Sequence, residues 1–420
     1  MQALLVSKSP PLYGEAAVHG AKNSVLPILA ATLLCSTPCV LHNCPDILDV
    51  DHTLAILRAL GCVCQRSGKD LYIDARPSGS AQVPAELAGT MRASSLFLGA
   101  LLAKNRAASV SLPGGCPIGA RPMDFHLHAF RCLGAQAEQD GSDIRCSAPA
   151  LRGGKIRLPG ISVGATENAI LAALGAEGQT TIENAACEPE IGDLICFLRA
   201  CGAKIAGEGT RTVTIEGGHA LHGARYTILP DRIETATLLC ACAACGGAVT
   251  VRRTDARLVQ PVVQALRQSG CLLQIGDDAI TIRRSGAMQV CRPVISGPYP
   301  GFPTDAMPVL LAAQLMGCGQ TAFTETIFEN RFLYVAQLQK LGARLRCEGR
   351  TVFLQGAAKL SAAALHADDL RGGAALVLAA MCAEGESTIF GVKHIERGYD
   401  TLEQTFLTLG AALKTVEIPN

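Results

Sequence analysis

The chain has 420 residues, 49% of them hydrophobic and 17% charged, with a formal net charge of +1. That length exceeds what one hydrophobic core usually serves, so two domains are expected in a globular protein. A field this close to neutral excludes a general nucleic-acid or membrane-surface binder, and any basic site must be local.

The opening MQALLVSKSPPLYGEA has no basic n-region followed by an apolar core and a small-residue cleavage site, so no signal peptide is expected. SVLPILAATLLC stops well short of the roughly 20 apolar residues a bilayer span needs. A cytoplasmic protein is the expectation. The 19 cysteines are scattered (Cys35, Cys132, Cys196, Cys201 and Cys271 among them), so they read as reduced, small core hydrophobes and not as a disulfide framework.

A glycine preceded by Leu, Cys or Ser and followed by a small residue recurs along the chain. It occurs in RALGCVC, RCLGAQA, RACGAKI, RQSGCLL, QKLGARL and LTLGAAL, at Gly61, Gly134, Gly202, Gly270, Gly342 and Gly410. The chain therefore reads as six copies of one unit. In each copy an Ala/Leu-rich helix (NSVLPILAATLL, RASSLFLGALLA, ENAILAALGAEG) precedes an alternating strand (QTTIENA, STIFGV). A second helix then ends at the repeat glycine, and a hairpin follows (AKIAGEGTRTVTIEG, ARLRCEGRTVFLQG). The unit is β-α-β-α-β-β, and the fold class is α/β with three units closing on one another in each domain.

Apolar all round, the first helix of each copy is predicted to be buried. Only its ends can meet solvent or ligand. The residues at those starts are Lys22 and Asn23; Arg92; Ser162, Val163 and Gly164; Asp231, Arg232 and Glu234; Thr304 and Asp305; and Asp369 and Arg371. Capping of free amides accounts for Asp231, Thr304 and Asp369. It does not account for Lys22, Arg92 or Arg371, because cations oppose the positive end of a helix dipole. Cations repeated at equivalent starts point to an anion such as phosphate or carboxylate. Arg121, Arg331 and Arg397 add basic residues outside the helix starts.

HGAKNSVLPILAATLL, TMRAS, SLPGGCPIGARPMDFH, SVGATEN, NAACEPEI, LPDRIET, GFPTD, FENRF, DLRGGAALVLA and HIERGY, in that order from about residue 12 to the C-terminus, resemble the UDP-N-acetylglucosamine 1-carboxyvinyltransferases. The resemblance implies a two-domain inside-out α/β barrel, helices inside sheets. Residues 21–229 would form the domain carrying the cysteine loop, residues 1–20 and 230–420 the other, and the active site would lie in the cleft between them. It further implies transfer of the enolpyruvyl group of phosphoenolpyruvate to the 3-hydroxyl of UDP-N-acetylglucosamine by addition–elimination. No metal or cofactor is called for, and the partners are these two anionic substrates.

By the same resemblance Cys116 is a mobile-loop acid able to form an adduct at C2 of phosphoenolpyruvate. Its flanking Gly114, Gly115 and Pro117 suit a loop better than a core. Asp305 matches the base at the acceptor hydroxyl. Lys22, Arg121 and Arg397 match contacts to phosphoenolpyruvate, while Arg331 and Arg371 match the remaining basic lining. Asn23, Arg92, the run Arg121, Pro122, Met123, Asp124 and Phe125, then Ser162, Val163, Gly164 and Ile327 match positions around the nucleotide sugar. Closure of the loop on bound substrate, with the nucleotide sugar binding first, is expected. Two departures stand out: AMPVL follows GFPTD where a Met/Leu-Gln pair is usual, and Gly160 replaces a lysine found in some members.

Three further signals carry less. Cys240, Cys242 and Cys245 include a C-x-x-C without a second ligand pair, and read as core. His126 and His128 resemble a ligand pair at strand spacing but lack partners, so a structural or substrate-side role is expected for His126. No G-x-x-x-x-G-K-[ST] loop is present. The competing readings are the sister transferase acting on shikimate 3-phosphate, against which the cysteine loop argues, and a non-catalytic paralogue that binds the nucleotide sugar.

Overall fold

All six repeat glycines take up left-handed backbone, with φ from +89° to +98°. A side chain there would be strained, whereas glycine lets the chain leave a helix end and turn back toward a strand. Each follows the second helix of its repeat: Leu48–Ala59, Asp124–Cys132, Pro189–Ala200, Gln260–Gln268, Val335–Lys340 and Leu402–Thr408. The computed structural model describes residues 2–89, 91–111, 118–119, 122–357 and 359–418.

Six sheets result. In five of them an edge strand lies parallel to a central strand, and the central strand lies antiparallel to the second arm of a hairpin. Lys155–Arg157, Gly178–Glu183, Thr212–Gly217 and Lys204–Ala206 form one such sheet. The sheet of Ala107–Ser111, Asp143–Ser147 and Gln136–Asp140 has three strands. Its edge is reduced to a single parallel bridge, Gln82 to Ser109.

The copies are not all built from consecutive chain. The sixth hairpin is completed by the N-terminal strand Gln2–Ser7, which lies between Glu386–Phe390 and Leu413–Glu417. Leu12–Ala17 supplies the edge beside Gly247–Arg252, and Arg225–Thr227 supplies the edge beside Cys39–His42.

The chain divides into two units. The inserted unit comprises residues 20–111 and 122–229; the terminal unit comprises residues 2–19, 118–119 and 230–418. Each holds three sheets around three apolar helices, the expected inside-out arrangement. In the inserted unit these are α1 (Lys22–Ala31), α2 (Phe97–Asn105) and α3 (Val163–Leu174); in the terminal unit they are α4 (Arg232–Cys245), α5 (Met307–Gln314) and α6 (Leu370–Ala380). All of α5 and every residue of α6 from Arg371 onward are buried. The sheets alternate buried and exposed residues, as in Gly178–Glu183 and Thr212–Gly217, so one face of each covers the helices. No helix among the described residues is long and apolar enough to cross a membrane.

Packing around the inner helices should dominate stability. Leu376, fully buried in α6, loses both transfer energy and packing when truncated, so Leu376→Ala is expected to cost about 2–5 kcal/mol. Leu272→Ala, at a side chain 72% exposed, should shift stability by less than about 0.5 kcal/mol. Urea midpoints of the two variants check this.

Candidate active site

The inner helices begin where the sequence places polar residues. Asp231 caps α4 by accepting from the Ile233 and Glu234 amides, and Asp369 caps α6 by accepting from those of Arg371 and Gly372. Ser162 caps α3 through Ala165 N. Thr304 does not cap. Helix α5 starts later, at Met307 with Pro308 in its first turn, and the Thr304 hydroxyl instead donates to Glu325 Oε2 at 2.7 Å. The AMPVL departure thus leaves Asp305 in the turn before the helix.

In the terminal unit Asp305 is held between two arginines. Arg331 Nη2 donates to Oδ1, while Arg371 Nε and Nη2 each lie 3.3 Å from Oδ2. Both arginines are buried, with side chains 1% and 4% exposed, and Asp305 is 27% exposed. Arg331 Nε also donates to the Thr304 carbonyl at 3.2 Å. Burial works against the charge on Arg371, but Asp305, Tyr399 and Asp231 outweigh it and hold the guanidinium firmly cationic. Its Cζ lies 5.5 Å from the centroid of the Tyr399 ring, and Nη1 is buried with no hydrogen-bond partner among the described residues. A buried, charged, unsatisfied donor beside a carboxylate is suited to an incoming anion.

Glu325 holds this arrangement together and was not visible as a site residue in the sequence. Buried to 1% exposure, it accepts from Ser296 Oγ, Thr304 Oγ1, Ile327 N and Phe328 N. It therefore fixes the residue before Asp305 and presents Ile327, 37% exposed, at the surface. Arg397 is half-buried just beyond the helix Val392–Glu396. Ile118 also belongs to this unit, and its carbonyl accepts from Asn330 N at 2.8 Å. Cys116 and Arg121 lie outside the described residues.

In the inserted unit Lys22 opens α1, and its ammonium pairs with Asp49 Oδ2 at 2.6 Å, both groups largely buried. Asp49, in the first turn of Leu48–Ala59, was not visible as a partner because nothing local links it to Lys22. Asn23 is half-buried beside it. The Ser24 hydroxyl donates to Asp193 Oδ2, which also accepts from Leu229 N at 3.1 Å, while Tyr226 OH donates to Oδ1 at 2.6 Å. One carboxylate thus joins both ends of the inserted unit. Glu167 in α3 is fully buried, and burial, with Glu190 and Glu188 adding, pushes its carboxyl well above the ordinary range.

Arg92 opens the short 3-10 turn Arg92–Leu96 before α2. His126 sits on the helix Asp124–Cys132 and not on a strand as its spacing suggested, so His128 points elsewhere. Asn168 settles the state of His126. Its Oδ1 accepts from Gly99 N at 2.7 Å, so its amide nitrogen must be the donor to His126 Nδ1, 2.9 Å away. His126 is therefore neutral with its proton on Nε2. The ring lies against Gly164, where an added Cβ would stand 3.2 Å from Cε1. Val163 and Gly164 form the first turn of α3, and Pro122, Met123, Asp124 and Phe125 lead into the His126 helix. Phe125 explains the room at Gly160: a Cβ there would meet its ring at 3.1 Å, so the aromatic edge occupies space a side chain would need.

Burial, reinforced by Arg92, lowers His126 from 6.5 to about 4. The unfolded chain therefore binds the extra proton first as pH falls. The stabilisation is fully present above about pH 6.5 and is lost between there and about pH 4, amounting to roughly 3 kcal/mol. His126→Gln should flatten that part of the profile, checked by urea midpoints of both proteins at pH 7 and pH 4.5. An unchanged slope would show that other groups set it.

A profile of the EPSP synthase (3-phosphoshikimate 1-carboxyvinyltransferase) family matches residues 6–406. UDP-N-acetylglucosamine 1-carboxyvinyltransferase 2 of Caldanaerobacter subterraneus is 46% identical over 400 residues, covering 95% of this chain and 96% of the relative. UDP-N-acetylglucosamine 1-carboxyvinyltransferase of Dichelobacter nodosus is 43% identical over 99% of this chain and 100% of its own length. The crystal structure of the enolpyruvyl transferase NikO from Streptomyces tendae is similar at a TM-score of 0.88 and 26% identity, covering 100% of this chain and 99% of NikO. EPSP synthase of Acinetobacter baumannii, at 18% identity and a TM-score of 0.75 over 99% of this chain and all of its own, shares the fold.

Proposed function

Because the chain belongs to the UDP-N-acetylglucosamine 1-carboxyvinyltransferases within the EPSP synthase family, we propose that it transfers the enolpyruvyl group of phosphoenolpyruvate to the 3-hydroxyl of UDP-N-acetylglucosamine and releases phosphate. This is the committing reaction of peptidoglycan precursor synthesis. The observation that carries the reading is Asp305, a carboxylate fixed by two buried arginines, one with a donor to spare.

In this reading Cys116 gives a proton to the methylene carbon of phosphoenolpyruvate while the sugar oxygen adds to C2 and Asp305 takes the hydroxyl proton. Loss of phosphate, with a proton leaving the new methyl group, then restores the double bond. A carboxylate has about four lone-pair sites, so Asp305 can accept the sugar hydroxyl while keeping both arginines. Those arginines fix its orientation and supply positive charge where carboxylate and phosphate must bind. Lys22, Arg121 and Arg397 act on phosphoenolpyruvate. Asn23, Arg92, Pro122, Met123, Asp124, Phe125, Ser162, Val163, Gly164 and Ile327 act on the nucleotide sugar. A cytoplasmic setting is supported by the cysteines: among those described, all are free thiols.

Phosphate release from phosphoenolpyruvate, measured with UDP-N-acetylglucosamine and separately with shikimate 3-phosphate, tests the assignment. Release with the nucleotide sugar alone is expected. Release only with shikimate 3-phosphate would reassign the acceptor, and release with neither would leave a binding protein. Cys116→Ser and Asp305→Asn should each lower kcat by about 10²- to 10⁴-fold. Arg371→Lys should lower kcat/KM for phosphoenolpyruvate by about 10- to 100-fold, because one ammonium cannot hold Asp305 and present a second donor together.

A further inference from the structure

Three cysteines outside the proposed reaction meet in the inserted unit. Cys35 follows the turn that ends α1, Cys39 opens the strand Cys39–His42, and Cys201 caps the C-terminal end of the helix Pro189–Ala200. Their Sγ atoms all lie within 4.8 Å of one another, and among the described residues no other group of three or more His, Cys, Asp or Glu is so arranged. Cys35 Sγ and Cys201 Sγ are 3.8 Å apart. A tetrahedral zinc site with Zn–S bonds of about 2.3 Å spaces its sulfurs by about 3.8 Å, so this pair already spans one edge of such a tetrahedron.

The backbone brings these segments together. Ser36 N donates to Leu221 O at 2.8 Å, His222 N to Cys201 O at 3.0 Å and Val40 N to Ala224 O at 2.9 Å. Gly223 N donates to Thr37 Oγ1 at 2.8 Å. A Cβ at Gly223 would overlap the Pro38 carbonyl, so only glycine lets the 221–224 segment lie this close. The same segment sets His222 against Gly202, the neighbour of Cys201, with Nε2 3.3 Å from where a Cβ of Gly202 would stand. His222 Nδ1 lies 3.0 Å from the Gly223 carbonyl. Donation to that carbonyl leaves the Nε2 lone pair for a metal, the arrangement that fixes the tautomer of a ligating histidine. The C-terminal end of Pro189–Ala200 carries partial negative charge, which favours a cation beside Cys201.

We propose that Cys35, Cys39 and Cys201 bind one Zn²⁺ as thiolates, and that His222, whose exposed side chain stands outside that 4.8 Å group, turns onto the metal through Nε2 as the fourth ligand. Three thiols lose their protons to solvent as three S–Zn bonds form, and no oxidant or reductant takes part. The site is structural. It ties the far end of α1, whose first residue is Lys22, to the far end of the helix that carries Glu190 and Asp193.

The full-length chain, freed of metal and kept reduced, is titrated with Co²⁺ as an optical probe and then with Zn²⁺. Thiolate-to-cobalt charge-transfer absorption should saturate at one Co²⁺ per chain and disappear as Zn²⁺ displaces it. Cys201→Ala should abolish the absorption, whereas Cys245→Ala, at a thiol in the terminal unit, should leave it unchanged. His222 is exposed, so His222→Ala tests the site without disturbing the core and should weaken Co²⁺ binding by about tenfold or more. Zn²⁺ should raise Tm in the unaltered chain and not in Cys201→Ala. No charge-transfer absorption, or absorption that survives Cys201→Ala, overturns the site; unchanged affinity in His222→Ala overturns the fourth ligand.

Discussion

A helix that is apolar on every side can meet water or ligand only at its ends. All six inner helices are under that constraint, and the rest of the molecule follows from it. Their flanks demand sheets on the outside of each unit. Their starts, where amides lack partners, are where Asp231, Asp369 and Ser162 cap and where Lys22, Arg92 and Arg371 stand. Cations at the positive end of a dipole cost energy in isolation. Lys22 offsets that with Asp49, and Arg371 with Asp305.

The same end-on geometry explains the mixture of capping and chemistry. A cap fixes the first turn, and the residue it fixes is then placed to within a rotamer. Asp369 accepts the Arg371 amide, while the Arg371 guanidinium reaches Asp305 of a neighbouring repeat. Glu325 does the equivalent for Thr304 from the strand end of its own repeat. At Arg371 the countercharge thus comes from a neighbouring repeat, whereas Lys22 and Thr304 find their partners within their own.

This division also separates what was legible in the sequence from what was not. The repeat glycines, the apolar helices, the hairpins and the caps at Asp231 and Asp369 are local patterns, and they were readable. Asp49, Glu325 and Tyr399 are partners across long stretches of chain, and no local spacing announces them. His126 and His128 misled as a strand pair because a two-residue spacing looks alike until the helix is known. Cys35 and Cys201 are 166 residues apart, so their meeting could come only from the fold.

The N-terminal strand Gln2–Ser7 lies between two strands made from the last 35 residues of the chain. During vectorial synthesis Gln2–Ser7 is therefore made long before either of the strands it pairs with. The inserted unit, residues 20–229 but for the short stretch around Ile118, can close much earlier, since domains fold as units while the chain emerges. Gln2–Ser7 lacks both of its neighbours throughout that interval. Its own composition, QALLVS, then makes it a segment that a chaperone or a second nascent chain could capture before its proper neighbours exist.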